Sequence, residues 1–354
     1  GESPLKSHEG FLHTTCPACG GKATRETDTM DTFVDSSWYW FRYLSPHLDS
    51  APFDRVLAEK WMPVEQYTGG VEHAILHLLY SRFFTKVVRD LGLTSVNEPF
   101  TRLTSQGSIL GEDNEKMSKS RGNVVNPDEL VGAYGADAVR AYLMFIGPWE
   151  AGGPWNPSGI EGVARFLNRV WVLLSEAPSE EGADENADES TLKELRRAVH
   201  TAIKEAGEDM EGFRFNTAIA ELMTLVNSMN RAKSRAVMAT PEWREGGEAL
   251  IKMLAPIAPH IAEELWQRGG REGSVHLQGW PDYDEGALTR DTVTLAVQVN
   301  GKRRGEVTVP KDAARASILA SAKAAPNVAR YLAGADIVKE IVVPGRLVNI
   351  VVRS

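Results

Sequence analysis

The stretch VEQYTGGVEHAILHLLYSRFF, residues 64–84, reads as a strand, a Gly-Gly turn and the start of a helix. Apolar residues at Ile75, Leu78, Leu79, Phe83, Val87 and Val88 recur at helical spacing, which predicts a helix from Val71 to about Asp90. TRLTSQGSIL (101–110) is a second strand candidate and leads into the polar loop GEDNEKMSKSRGN (111–123). Helices are expected over 127–134, where Pro127 sits at an early helical position, and over 136–146. Alternation of strand and helix over residues 32–150 predicts an α/β layer structure. GGPWNP at 152–157 then marks a break.

Beyond that break the pattern becomes helical. Ile160, Val163, Phe166, Leu167, Val170 and Leu174 share one face of a helix over 158–174. Leu192, Leu195, Val199, Ile203, Ala206 and Met210 repeat the pattern, as do Ile219, Leu222, Met223, Val226 and Met229. A further helix, opened by Pro241, runs through EALIKMLAPIAPHIAEELW to Trp266, so an antiparallel bundle is predicted. From Thr292 the pattern is α+β. Alternating strands flank Asn300-Gly301, an Ala-rich helix spans 312–325, and strands at 337–343 and 347–352 are joined by Pro344-Gly345.

Composition sets the outer limits. The 354 residues are 42% hydrophobic, enough for several cores. No apolar run approaches membrane-spanning length, and the first residues carry no apolar signal segment. Two cysteines cannot make a disulfide framework, so a reducing, cytoplasmic setting is expected. The net charge of −9 argues at first against a nucleic-acid partner. Residues 175–190, however, hold seven acidic residues and no basic one, and read as a solvated linker. The last 64 residues hold ten basic and five acidic residues. The acidity therefore marks a boundary, and the tail is free to face RNA.

Four clusters could carry chemistry. Cys16-Pro-Ala-Cys19-Gly-Gly has the spacing of half a zinc knuckle, although a metal-free turn and a redox pair share it. His73 and His77 are one helical turn apart, yet Ala74 stands where a metalloprotease helix needs its glutamate. A Gly-Gly turn at a helix start can instead admit a nucleotide, and a pair of buried core histidines fits the same residues. Lys116-Met-Ser-Lys119-Ser sets two mobile cations in a flexible loop, suited to a polyphosphate, though exposed lysines are common in loops. DTFVDSSWYW (31–40) is an aromatic wall for a small apolar ligand or an aromatic core strand. A dinucleotide oxidoreductase is disfavoured, because no G-x-G-x-x-G follows a strand.

KMSKS at 116–120 resembles the second signature of class I aminoacyl-tRNA synthetases. With it, ETDTMDTFVDSSWYW (26–40), VEQYTGGVEHAILHLLYSRFF, YGADAVRAYLMF (134–145) and APIAPHIAEELW (255–266) resemble the bacterial leucyl-tRNA synthetase family. VQVNGKRRGEV (297–307) through IVVPGRLVNIVV (341–352) resembles that family's C-terminal domain. The likeness covers nearly the whole chain. It implies ATP-dependent activation of leucine and its transfer to tRNA(Leu). Phe33, Ser36, Tyr39 and Tyr67 would line the leucine pocket. Gly69, Gly70, Glu72, His73 and His77 would border the adenylate, joined by Lys116, Met117, Ser118 and Lys119. Lys116 and Lys119 would be catalytic, neutralising the triphosphate as pyrophosphate departs, with Mg2+ accompanying ATP. Lys302, Arg303 and Arg304 would contact tRNA, and Cys16 and Cys19 would hold Zn2+ with ligands outside this chain.

The family's HIGH-type motif, its editing domain and a second C-x-x-C are absent from this sequence. The expected fold is thus multidomain. Residues 1–31 would form an editing-domain edge and half a zinc knuckle, and 32–150 the second, α/β half of a Rossmann-like catalytic domain. Residues 151–290 would form an α-helical anticodon-binding bundle and 291–354 a small α+β tRNA-contacting domain. The missing N-terminal half is an expected partner, with tRNA(Leu), leucine and ATP. A non-catalytic tRNA-binding module, or a subunit of a split synthetase, is the competing expectation.

Overall fold

The computed structural model describes residues 3–176, 187–289 and 292–353. Most of the acidic segment expected as a linker lies outside these residues. The chain packs into two compact units, Gly1–Ala164 with Phe213–Asn216, and Arg165–Gly212 with Thr217–Ser354.

In the first unit the strand Val64–Gly70 pairs in parallel with Phe100–Gln106, Val64 opposite Phe100 and Gly70 opposite Gln106. Parallel neighbours need a crossover, and the helix His77–Asp90 provides it. Arg82 and Lys86 on that helix both bind the Glu98 carboxylate, which anchors the return into the second strand. Trp40, Phe41, Phe53 and Ala58 form the core beside the strands, with Val88 and Phe100 packed on it.

Three local expectations change. The predicted 71–90 helix is a 3-10 turn, Val71–Ile75, then an α-helix from His77, because Leu76 leaves helical geometry at φ −117°, ψ −101°. The 101–110 strand is two strands, Phe100–Gln106 and Ile109–Leu110, and the second pairs in parallel with Gly153–Pro154. Gly107 is the pivot: a Cβ there would lie 2.2 Å from the Ala151 carbonyl carbon and the Gly152 nitrogen. Finally, residues 31–40 are helical turns, Phe33–Ser36 and the start of Tyr39–Tyr43, rather than a strand.

The second unit holds helices Glu189–Glu211, Phe215–Ala232 (first two residues apart), Pro241–Leu254 and Pro259–Arg268. The single helix expected from Pro241 to Trp266 is therefore two. Pro256 lacks an N–H for the ladder, and Pro259 starts the next helix at a position where none is needed. Leu195, Val199, Ile203, Ile219, Leu222, Val226 and Met229 are buried, as their spacing requires. In Pro157–Ser175 the buried residue near the C-terminal end is Leu173 rather than Leu174.

The C-terminal sheet runs in the order Lys302–Pro310, Thr292–Val299, Leu347–Arg353, Asp336–Val343. Asn300 and Gly301 both take positive φ, 49° and 78°, as the two-residue hairpin demands. Leu347–Arg353 is parallel to Thr292–Val299, and helices Arg315–Ala324 and Pro326–Leu332 supply Leu319, Ala322 and Val328 to the core under the sheet. Among the described residues no helix is long and apolar enough to cross a membrane.

Candidate active site

The Gly69-Gly70 turn opens on a cavity of 430 Å³ whose wall includes Phe33, Ser36, Tyr67, Gly69, Gly70, His73 and His77. These come from three separate segments that the sequence alone did not bring together. The parallel strand pair presents Tyr67 and the glycines, while the short helix Phe33–Ser36 lies across the start of the 77–90 helix. Phe33 packs edge-on to His73 at 6.2 Å between ring centroids and stacks on Tyr80 at 6.3 Å. Gly69 has nothing within 4 Å of the place a Cβ would occupy, so a ligand can approach its backbone closely.

A chain of hydrogen bonds crosses the floor. The Tyr39 hydroxyl donates to the Tyr67 hydroxyl at 3.1 Å, and Tyr67 contacts His77 Nε2 at 2.6 Å. With Tyr67 accepting from Tyr39, its own proton points to His77, which is then neutral with the hydrogen on Nδ1. Burial, with His73 nearby, holds His77 below its ordinary range. Burial and the Tyr39 hydroxyl push the Tyr67 phenol up, so it stays a donor. Tyr67 is fixed from behind by Phe100, 3.9 Å away and nearly parallel. His73 Nδ1 is buried with no hydrogen-bond partner, and a ligand acceptor or donor would satisfy it.

Gly70 and Gln106 are shared with an adjoining cleft of 350 Å³, lined also by Glu72, Lys116, Met117, Ile109 and Trp149. Glu72 folds back over Gly70, where a Cβ would lie 2.4 Å from its carboxylate. Its carboxyl is held low by its own backbone N–H and then by Lys116, whose Nζ lies 3.7 Å away. The KMSKS loop is organised rather than loose. Lys116 bridges Leu110, the Ser118 N–H donates to Asn123 Oδ1 at 2.8 Å, and Arg121 pairs with Glu115. Gly122 turns the chain at φ 71°. Ser118 and Lys119 line neither cavity, and Lys119 is exposed.

Sequence reasoning missed Thr68, Leu78, Leu103 and Gln106 in the first cavity and the 146–152 segment in the second. That segment had registered only as a break. Its glycines are the signal: Gly107 N–H donates to the Trp149 carbonyl at 2.8 Å, and a Cβ on Gly152 would strike the Ser108 carbonyl oxygen at 2.2 Å. Two backbones touch here, and they form the floor beneath Lys116.

Cys16 and Cys19 sit on a knuckle between the paired strands His13–Thr15 and Lys22–Thr24. The Cys16 thiol is held low by the N–H groups of Cys19 and Ala18 and by the Cys19 thiol, which favours a thiolate ligand. These two residues fit half of a tetrahedral zinc site. Among the described residues no third ligand joins them, since His8 Nδ1 caps a helix and His13 pairs with Glu9. Lys302, Arg303 and Arg304 lie at the tip of the C-terminal hairpin, in the other unit. Arg303 pairs with Glu306, and the Arg304 guanidinium stacks 4.1 Å from the Tyr331 ring.

Two family models match the chain: "tRNA synthetases class I (I, L, M and V)" over residues 11–150, and "Anticodon-binding domain of tRNA ligase" over 193–320. A leucine–tRNA ligase of Herpetosiphon aurantiacus is 57% identical over the full chain, which covers 43% of that protein. One of Deinococcus radiodurans is 56% identical, with 42% of its length covered. The chain thus spans under half the length of these relatives. Among solved structures, the LeuRS of Agrobacterium radiobacter K84, in a ternary complex with tRNA and LeuAMS, is 39% identical with a TM-score of 0.73. It covers all of this chain, which matches 46% of it. A Mycobacterium tuberculosis methionyl-tRNA synthetase shares the fold over 73% of the chain and 52% of its own, at TM-score 0.53 and 17% identity.

Proposed function

The chain belongs to the leucine–tRNA ligase family of class I synthetases, and we propose that it forms the KMSKS-bearing part of the ATP-dependent enzyme that joins leucine to tRNA(Leu). The observation that carries this is the pair of adjoining cavities. One gathers the expected leucine and adenylate residues, the other holds Glu72, Lys116 and Met117, and both share Gly70.

In this reading leucine lies against Phe33, Ser36 and Tyr67, with Tyr39 behind. Its carboxylate attacks the α-phosphorus of ATP, the bond to the β-phosphate oxygen breaks, and pyrophosphate leaves with the electron pair. The tRNA terminal hydroxyl then displaces AMP from the leucyl carbonyl. No protein nucleophile is needed. The chain positions the reactants and offsets charge on the leaving phosphates through Lys116, while Mg2+ enters on those phosphates. Lys119 contributes once the KMSKS loop, with Ser118, turns inward.

The uncovered surface supports an absent other half. Helix 77–90 buries Ser81 and Thr85, whose hydroxyls bond back to the His77 and Ser81 carbonyls, while Leu79 and Phe83 are 57% and 61% exposed. Ile75 and Leu103 add to the exposed apolar surface, and the strand pair has no further strand beside it among the described residues. A HIGH-bearing N-terminal half would cover this face, and the Cys16–Cys19 knuckle would complete its zinc site with ligands from outside the chain. The 193–320 region would hold tRNA, with Lys302, Arg303 and Arg304 on its backbone, in the cytoplasm. The alternative of a non-catalytic tRNA-binding module is disfavoured by the assembled pocket. The test is Lys119→Ala in a reconstituted pair of this chain with a HIGH-bearing fragment. Leucine-dependent ATP–pyrophosphate exchange should fall at least about tenfold; unchanged exchange removes the loop from the chemistry.

A further inference from the structure

Most cations on the helical bundle have an assigned partner. Arg196 binds Asp284, Lys233 binds Glu176, Lys252 binds Glu248 and Arg268 binds Glu264. Lys204 lies over the Tyr283 ring. Arg197 and Arg231 differ. They line one cleft of 240 Å³ between helices Glu189–Glu211 and Phe215–Ala232, together with Thr191, Ser228 and Glu194. Arg231 donates to the Ser228 hydroxyl at 3.1 Å, and neither arginine has a carboxylate partner among the described residues. Glu194 on the rim offsets part of their charge without an ion pair to either.

We infer that this notch is a phosphate-binding site for the tRNA backbone. Two guanidinium groups converging on one cleft, with the Thr191 and Ser228 hydroxyls beside them, supply forked donors for a single phosphodiester. Both arginines fall within the stretch that matches the anticodon-binding family model, so the site lies on the region proposed to hold tRNA. The inference rests on that proposal and adds its residues. A phosphate contact reads no sequence. It fixes register, and its loss weakens binding in a salt-dependent way.

The experiment measures binding of the full chain to tRNA(Leu) across a salt series, comparing wild type, Arg197→Ala/Arg231→Ala and Arg197→Lys/Arg231→Lys. The alanine pair should weaken binding about tenfold at low salt, and should reduce the slope of log K against log salt by roughly 1.4–1.8 for two lost contacts. The lysine pair, which keeps the charge, should retain most of the slope. Far-ultraviolet circular dichroism melts check that the alanine pair keeps the helical bundle. An alanine pair that is folded and binds with an unchanged slope overturns the inference and leaves tRNA binding intact. A lysine pair that loses as much as the alanine pair also overturns it, since the effect is then packing. Failure of the wild type to bind tRNA refutes the underlying proposal instead.

Discussion

Tyr67→Phe deletes one oxygen from the centre of the pocket and leaves the ring on Phe100. Two hydrogen bonds disappear, one from the Tyr39 hydroxyl at 3.1 Å and one to His77 Nε2 at 2.6 Å. Each is worth about 0.5–1.5 kcal/mol net, so about 2 kcal/mol is at stake. Tyr39 and Tyr67 are only half-buried, and water replaces part of that loss, which lowers the expectation to about 1–1.5 kcal/mol. The sharper measurement is a double-mutant cycle with Tyr39→Phe, read by urea unfolding of the first unit. Tyr39→Phe alone leaves the Tyr67–His77 bond in place, so the coupling isolates the phenol pair and should be about 0.5–1 kcal/mol. Strict additivity would show that the two hydroxyls do not bond. A loss above about 3 kcal/mol for Tyr67→Phe would show that the ring stack had moved, since overpacking and cavity effects reach that size where deleting a hydroxyl does not.

Glu98 gives a pH test. Its carboxyl, held by Arg82 and then Lys86, is depressed from 4.5 to about 2. A depressed carboxylate contributes its stability above the unfolded value and loses it as pH falls through the folded one, here from about 4.5 to about 2. The carboxylate is 41% exposed, so solvent limits the contribution to about 1 kcal/mol. Glu98→Gln should flatten the stability profile in that window by this amount, and an unchanged profile counts against the network. Gly107→Ala and Gly69→Ala should behave oppositely. The first forces two backbones apart and should cost about 1–3 kcal/mol in urea unfolding. The second meets nothing and should leave stability within about 0.5 kcal/mol, while narrowing the cavity and weakening leucyl-adenylate binding in the reconstituted enzyme.

Much of this fold is legible because local rules act alone. The strand Val64–Gly70, the helix Pro127–Tyr134 and the hairpin about Asn300-Gly301 follow from alternation, a proline at the helix start and a left-handed turn pair. Where tertiary contacts decide, the sequence is silent. Nothing in TRLTSQGSIL says that Gly107 must break the strand, because the cause is a distant backbone at Ala151 and Gly152. The parallel pairing of Leu347–Arg353 with Thr292–Val299 is likewise a long-range choice. The pocket was legible residue by residue, since the motifs name Phe33, Tyr67, Gly70 and His77. Its back wall was not. Trp149 and Phe215 line the second cleft from sequence positions with no local pattern to mark them. Leu79 and Phe83 read from sequence as a core face and stand exposed in this chain, a mismatch that marks a surface expecting a partner.

The most direct test is leucine-dependent ATP–pyrophosphate exchange by the purified chain, alone and mixed with a HIGH-bearing N-terminal fragment of a leucine–tRNA ligase. The predicted result is no exchange above background for either part alone and clear exchange for the mixture. Substantial exchange by the chain alone, or none by a mixture shown to associate, would contradict the proposal that this chain is the KMSKS-bearing part of a leucine-activating enzyme.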